Sequence, residues 1–125
     1  MRPGARLTLT IAGVLLALGI AAGAVSTHAL RTRLAPEQLD VFETAVRYHL
    51  YNALGLLGIG AVRLSHDSEL LRWSGAAIVT GIVLFSGSLY LAAFGAPRPI
   101  HFLPPVGGLA LIAGWLMFAI AIWRR

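Results

Sequence analysis

Four stretches of the chain, Thr8–Val25, Tyr48–Val62, Trp73–Gly95 and Val106–Trp123, carry no Asp, Glu, Lys or Arg. A helix needs about 18 or more consecutive apolar residues to cross the roughly 30 Å hydrocarbon layer of a bilayer. Only the second stretch is shorter, and it can borrow residues from the segment before it. There Leu39, Phe42, Val46 and Leu50 recur at three- or four-residue spacing, an apolar stripe on a helix. Glu37, Asp40, Glu43 and Arg47 occupy its other sides. This pattern predicts an all-α membrane protein, an antiparallel four-helix transmembrane bundle with short loops. The whole chain, 1–125, forms a single transmembrane domain, with spans at about 8–28, 43–62, 73–95 and 105–123 and an amphipathic lead-in over 36–47. A helix unbroken from Pro36 to Val62 would be about 40 Å long at 1.5 Å per residue. That exceeds the hydrocarbon core, so its first turns should project beyond it or lie at the interface.

Helix punctuation supports these boundaries. Pro36 suits a first helical turn, and Glu37 and Asp40 place negative charge at the positive end of the helix dipole. Gly95-Ala96-Pro97-Arg98-Pro99 reads as a turn, and Pro104 and Pro105 open the last helix. Small residues mark close helix packing: Gly19 and Gly23 in the first span, Gly87 in the third, and Gly107, Gly108 and Gly114 in the fourth. Trp123, beside Arg124 and Arg125, reads as an interfacial anchor.

Composition sharpens the class. Hydrophobic residues make up 58% of the chain and charged residues 12%, too few charges to cover a water-soluble surface. The net charge of +5 rests wholly on arginine. The arginines fall singly or in pairs at span ends and form no basic face for nucleic acid. Arg2, Arg6, Arg63, Arg72, Arg124 and Arg125 belong to the termini and the second loop, against Arg31, Arg33 and Arg98 opposite, or four with Arg47. Positive residues accumulate on the cytoplasmic side, so both termini of a multi-pass protein are expected inside. Arg2, Arg6, an apolar run and Ala22-Gly23-Ala24 imitate a cleavable signal peptide. The run exceeds the usual signal core of about 7–15 residues, so an uncleaved first helix fits better. No cysteine is present, which removes disulfides, thiolate ligands and a cysteine nucleophile.

The polar side chains that surface position does not explain fall on the side away from the termini. They are His28, Glu43, Arg47, Tyr48, His49, Asn52, Ser86, Ser88, Tyr90 and His101. Ionisable groups at membrane depth are costly, so they are functional candidates. Glu43 and Arg47, four apart with the acid first, are expected to neutralise one another. The histidines lack the spacing of a ligand set, and Ser86 and Ser88 lack the Gly-x-Ser-x-Gly elbow of hydrolases, so no metal, cofactor or enzyme activity is expected. A hydroxyl here more often bonds its own helix or a neighbour. A proton-coupled exporter needs a carboxylate inside the bundle, and the first, third and fourth spans have none. An accessory or interaction protein that binds lipid, another membrane protein or its own copy is therefore expected; the alternative is a small-solute channel or transporter entered through His28, Glu43, Arg47, Tyr48 and Asn52.

Several short segments, in order, resemble the YgdD-like family of small bacterial inner-membrane proteins (domain of unknown function 423, UPF0382). They are Thr27-His28-Ala29-Leu30, Pro36-Glu37-Gln38, Phe42-Glu43-Thr44-Ala45-Val46-Arg47-Tyr48, Phe85-Ser86-Gly87-Ser88-Leu89-Tyr90, Pro105-Val106-Gly107-Gly108 and Gly114-Trp115. The resemblance covers roughly Gly19 to Trp115 and implies four spans without an established activity. The family commonly has His where this chain has Asn52, a poor metal ligand, and Gly where it has Ser26.

Overall fold

Proline opens three of the four helices, where its missing N–H is one that no helix uses. In a computed structural model describing residues 1–125, the chain is helical with no strand. Helix α1 spans Pro3–Leu30, its last five residues, Ser26–Leu30, forming a π-helical turn. Helix α2 spans Pro36–Ser65, and the Ala35 N–H donates to Gln38 Oε1 at 3.2 Å before its first turn. Helix α3 spans Glu69–Ala93 with a second π-helical turn at Val83–Gly87. Ser68 caps its start by accepting from the Leu71 N–H. Its end is a Schellman motif: Gly95 takes φ +85°, Ala96 N–H donates to Leu91 C=O and Gly95 N–H to Ala92 C=O. A 3-10 turn, Arg98–Phe102, leads into α4, Leu103–Trp123, which has Pro104 and Pro105 in its first turn.

By length and composition, three helical stretches can cross a membrane: Pro3–Leu30, Glu69–Ala93 and Arg98–Trp123. The sequence pattern counted four. The difference is α2, the longest helix at 30 residues, which carries Glu37, Asp40, Glu43, Arg47 and Arg63 along its length.

The helices pack in chain order, α1 on α2, α2 on α3 and α3 on α4, leaving α1 and α4 as the two flanks. Successive pairs run antiparallel. Leu9 faces Gly60 and Leu50 faces Gly19, while Leu111 faces Gly81 and Ile78 faces Gly114. Glycine makes these approaches possible. A Cβ at Gly107 would lie 2.7 Å from the Phe85 Cα, backbone against backbone, and one at Gly81 would lie 2.6 Å from Leu111 Cγ. Gly19 and Gly114 are as tightly covered, whereas Gly23 and Gly108 meet ordinary contacts. Gly87 is a correction: nothing lies within 4 Å of where its side chain would be, because the π turn carries it off the packing face. The tight positions that spacing did not single out are Gly4, Gly55, Gly60 and Gly81.

The main core gathers Ala12, Leu56, Ile59, Ile78, Ile82 and Leu111, drawn from all four helices. A second cluster, Leu30, Phe42, Val46 and Ala93, closes the end away from the termini. The outer faces are apolar and open, with Leu18, Ile20, Leu109 and Ile112 each more than half exposed.

Candidate functional site

The polar residues proposed from sequence do not form one cluster. Burial divides them. His49, Asn52, Ser86 and Ser88 are buried and Tyr90 is half-buried, while His28, Glu43, Arg47 and Tyr48 are exposed, as is His101.

The buried group ties helices together. His49 Nε2 lies 2.8 Å from the Leu15 carbonyl on α1, and its Nδ1 lies 2.8 Å from the Tyr90 hydroxyl on α3. A carbonyl can only accept, so Nε2 carries the proton and Nδ1 accepts the Tyr90 O–H. Both ring nitrogens are thus committed to packing. Asn52 Nδ2 donates to the Tyr48 carbonyl one turn back, and its Oδ1 accepts from Trp115 Nε1, each at 2.8 Å. Ser86 Oγ donates to the Ala45 carbonyl of α2 at 2.8 Å, an outward turn allowed by the π-helical stretch around it. Ser74 Oγ does the same to the Gly114 carbonyl of α4, whereas Ser88 bonds Phe85 within its own helix. Each such interhelical bond is worth about 0.6 kcal/mol in a lipid environment, up to about 1.7. Trp115, singled out from sequence only as part of the Gly114-Trp115 segment of the family resemblance, is the partner that satisfies Asn52.

The exposed group contains a second correction. Glu43 and Arg47 do not pair; Arg47 Nη2 donates to Thr44 Oγ1 at 3.0 Å, and the ion pairs of the chain lie elsewhere. With Gly23, Ser26, Thr27 and Val46 these two line a cavity of about 200 Å3 between α1 and α2. A larger, mostly apolar groove of about 490 Å3 lies beside the Asn52–Trp115 bond, between Tyr48, Phe85, Leu111 and Leu116.

At the opposite end stands a residue that the sequence reading placed only in a polar loop. Arg63 is 6% exposed. Its Nε and Nη2 donate to the two carboxylate oxygens of Asp67 at 2.8 and 3.1 Å, and Nη1 donates to Thr8 Oγ1 at 2.9 Å. The guanidinium beside it holds the Asp67 carboxyl below its ordinary value; partial burial opposes this, and the Ser68 N–H and the charge of Arg2 add to it. Gly4 gives the guanidinium room, since a side chain there would meet Nη2. Arg125 also touches His66, so the C-terminus, the second loop and the start of α1 meet at this end. No three His, Asp or Glu side chains approach closely enough to share a metal ion.

Long apolar helices with open apolar flanks, joined by buried hydrogen bonds, define a protein of the helical membrane class. Within that class the profile described as "Protein of unknown function (DUF423)" matches residues 22–108, from just before the first π turn to the opening of α4. The chain belongs to this family. It is similar to the UPF0382 membrane protein SH2409 of Staphylococcus haemolyticus, 37% identical over 107 residues, 86% of this chain and 87% of that one. The UPF0382 membrane protein YwdK of Bacillus subtilis is 38% identical over 109 residues, 86% of each chain. The UPF0382 inner membrane protein YgdD of Escherichia coli K12 is 31% identical over 105 residues, 84% of this chain and 80% of that one. No solved structure matches the chain.

Proposed function

We propose that this chain is a multi-pass protein of the bacterial inner membrane, crossing it four times with both termini in the cytoplasm. Its role is non-enzymatic: an accessory protein that binds membrane lipid and a further membrane protein or a second copy of itself. One observation carries the role. Apart from Ser26, the buried polar side chains are used up by hydrogen bonds, most of them between helices, while the apolar faces of α1 and α4 stay open to partners. A solute path would need polar groups stacked through the centre, and that level is filled by Ala12, Leu56, Ile59, Ile78, Ile82 and Leu111. α2 crosses as the fourth span because α1 and α3 cover it on both sides, and its charged residues lie toward its ends. The meeting of Arg125, His66 and α1 near Arg63 supports placing both termini on one side, and the arginine excess there makes it the cytoplasmic side.

Photo-crosslinking in native membranes tests the role. Probes on exposed α1 and α4 residues should give a reproducible adduct with one protein or with a second copy. Recovery of the bare monomer from every position would overturn the accessory role. Reporter fusions test the topology, and ends found in different compartments would overturn it.

A further inference from the structure

Buried hydroxyls in this chain find a partner: Thr8 donates to the carbonyl four residues back and Ser88 to the one three back, while Ser74 and Ser86 donate to carbonyls of a neighbouring helix. Ser26 is the exception. It is 3% exposed, and its Oγ is the one buried side-chain polar atom with no hydrogen-bond partner. An unmade hydrogen bond at a buried hydroxyl is costly, and here it stands on the first residue of a π turn, a distortion frequent at functional sites. Ser26 lines the 200 Å3 cavity with Glu43 and Arg47.

The charges around that cavity suit a zwitterion. Arg47 has no carboxylate partner and Glu43 has no cation. A guanidinium grips phosphate through paired, charge-assisted hydrogen bonds. The carboxylate beside it repels a purely anionic ligand and accepts from a primary ammonium. The cavity is smaller than the roughly 300–1,000 Å3 of pockets that enclose whole small ligands, so a headgroup fits and its remainder stays outside. Depth agrees. Ser26 lies roughly 14 Å along α1 from the centre of the charge-free run, close to half the thickness of the hydrocarbon layer. From there toward the centre α1 exposes Val25, Ile20 and Leu18, apolar surface along which acyl chains can lie.

The geometry points to this cavity as a headgroup site for an aminophospholipid, with its phosphate on Arg47, its primary ammonium on Glu43 and a headgroup oxygen on the Ser26 hydroxyl. The site rests on the membrane placement proposed above and names the lipid partly responsible for the chain's membrane role.

Native mass spectrometry of the full-length protein in detergent tests it, with dioleoyl phosphatidylethanolamine, phosphatidylglycerol and phosphatidylcholine as probes and free phosphoethanolamine as competitor. Phosphatidylethanolamine should bind about tenfold more tightly than either other lipid. Glu43→Gln should erase its advantage over phosphatidylglycerol, and Arg47→Gln should weaken phosphatidylethanolamine about tenfold. Both side chains are exposed, so neither change threatens folding; Ser26→Ala should weaken binding without lowering the melting temperature. Equal binding of the three lipids, or a preference that survives Glu43→Gln, overturns the site. Displacement by phosphoethanolamine at the same concentration as intact lipid also overturns it, assigning the cavity to a soluble zwitterion. Loss of the lipid site leaves the crosslinked partner in place, so its failure is distinguishable from failure of the accessory role.

Discussion

Arg47 and Arg63 stand on the same helix, in opposite surroundings. Arg63 is enclosed: Asp67 takes two of its N–H groups, Thr8 a third, and Gly4 leaves room for the guanidinium against α1. Arg47 is exposed, bonds only Thr44, and shares a cavity wall with an unpaired Glu43 and a buried hydroxyl that bonds nothing. A buried guanidinium is tolerated only when its donors are met, so the Arg63 end acts as a clasp between α1 and the end of α2. Unmet groups gathered around a cavity are the signature of a place that binds something. One end of the molecule is closed by its own side chains, and the other keeps its polar groups available.

The largest test of this contrast is Asp67→Ala. It leaves a buried charge with Thr8 alone, and the protein should lose about 3 kcal/mol in a detergent unfolding titration. A loss below about 0.5 kcal/mol would mean that the clasp does not hold α1. Gly4→Ala and Gly23→Ala form a matched pair on the same helix. The first pushes Arg63 from its place and should cost about 1–3 kcal/mol. The second meets Val46 at an ordinary 3.5 Å and should be neutral or stabilising by up to about 1 kcal/mol, because alanine favours the helix. Equal losses at both sites would erase the distinction between the ends.

Acid should loosen the clasp by a smaller amount. Asp67 is held below its ordinary value of 3.8, so its contribution is complete above that pH and is lost as pH falls through the lowered value. Melting temperatures followed from pH 6 to pH 2 should therefore drop at the acid end for the wild type, and much less for Asp67→Ala. The smallest change is expected at the other arginine. Glu43→Gln and Arg47→Gln should each shift stability by no more than about 0.5 kcal/mol, as surface changes do, while altering lipid binding. A large loss of stability there would recast these residues as a second clasp.

The two regions also differ in how far they were legible. Charge-free runs, Pro36 and the Pro104–Pro105 pair located the helices, because those signals act on the chain locally. By sequence Arg63 opens a polar connection that runs to Arg72, nine residues on, and nothing nearby in sequence marks it as buried; its burial depends on Thr8 and Gly4 of another helix. Glu43 and Arg47 have the spacing of a helical ion pair, yet the nearer hydroxyl of Thr44 takes the guanidinium. Ser26 drew notice only as a departure from the usual family glycine, and its missing partner shows only once the π turn is in place. Gly87 had the look of a packing residue for the same reason in reverse.

By itself the sequence determined that this chain is helical, lipid-compatible over most of its length, and a member of its family. Hydropathy, proline placement and local motifs are carried by neighbouring residues, so no partner helix is needed to read them. Tertiary structure decided which polar groups are met and which are left over. Those pairings join residues such as Thr8 and Arg63, Leu15 and His49, or Asn52 and Trp115, and they depend on how far each helix slides along the next before glycine contacts stop it.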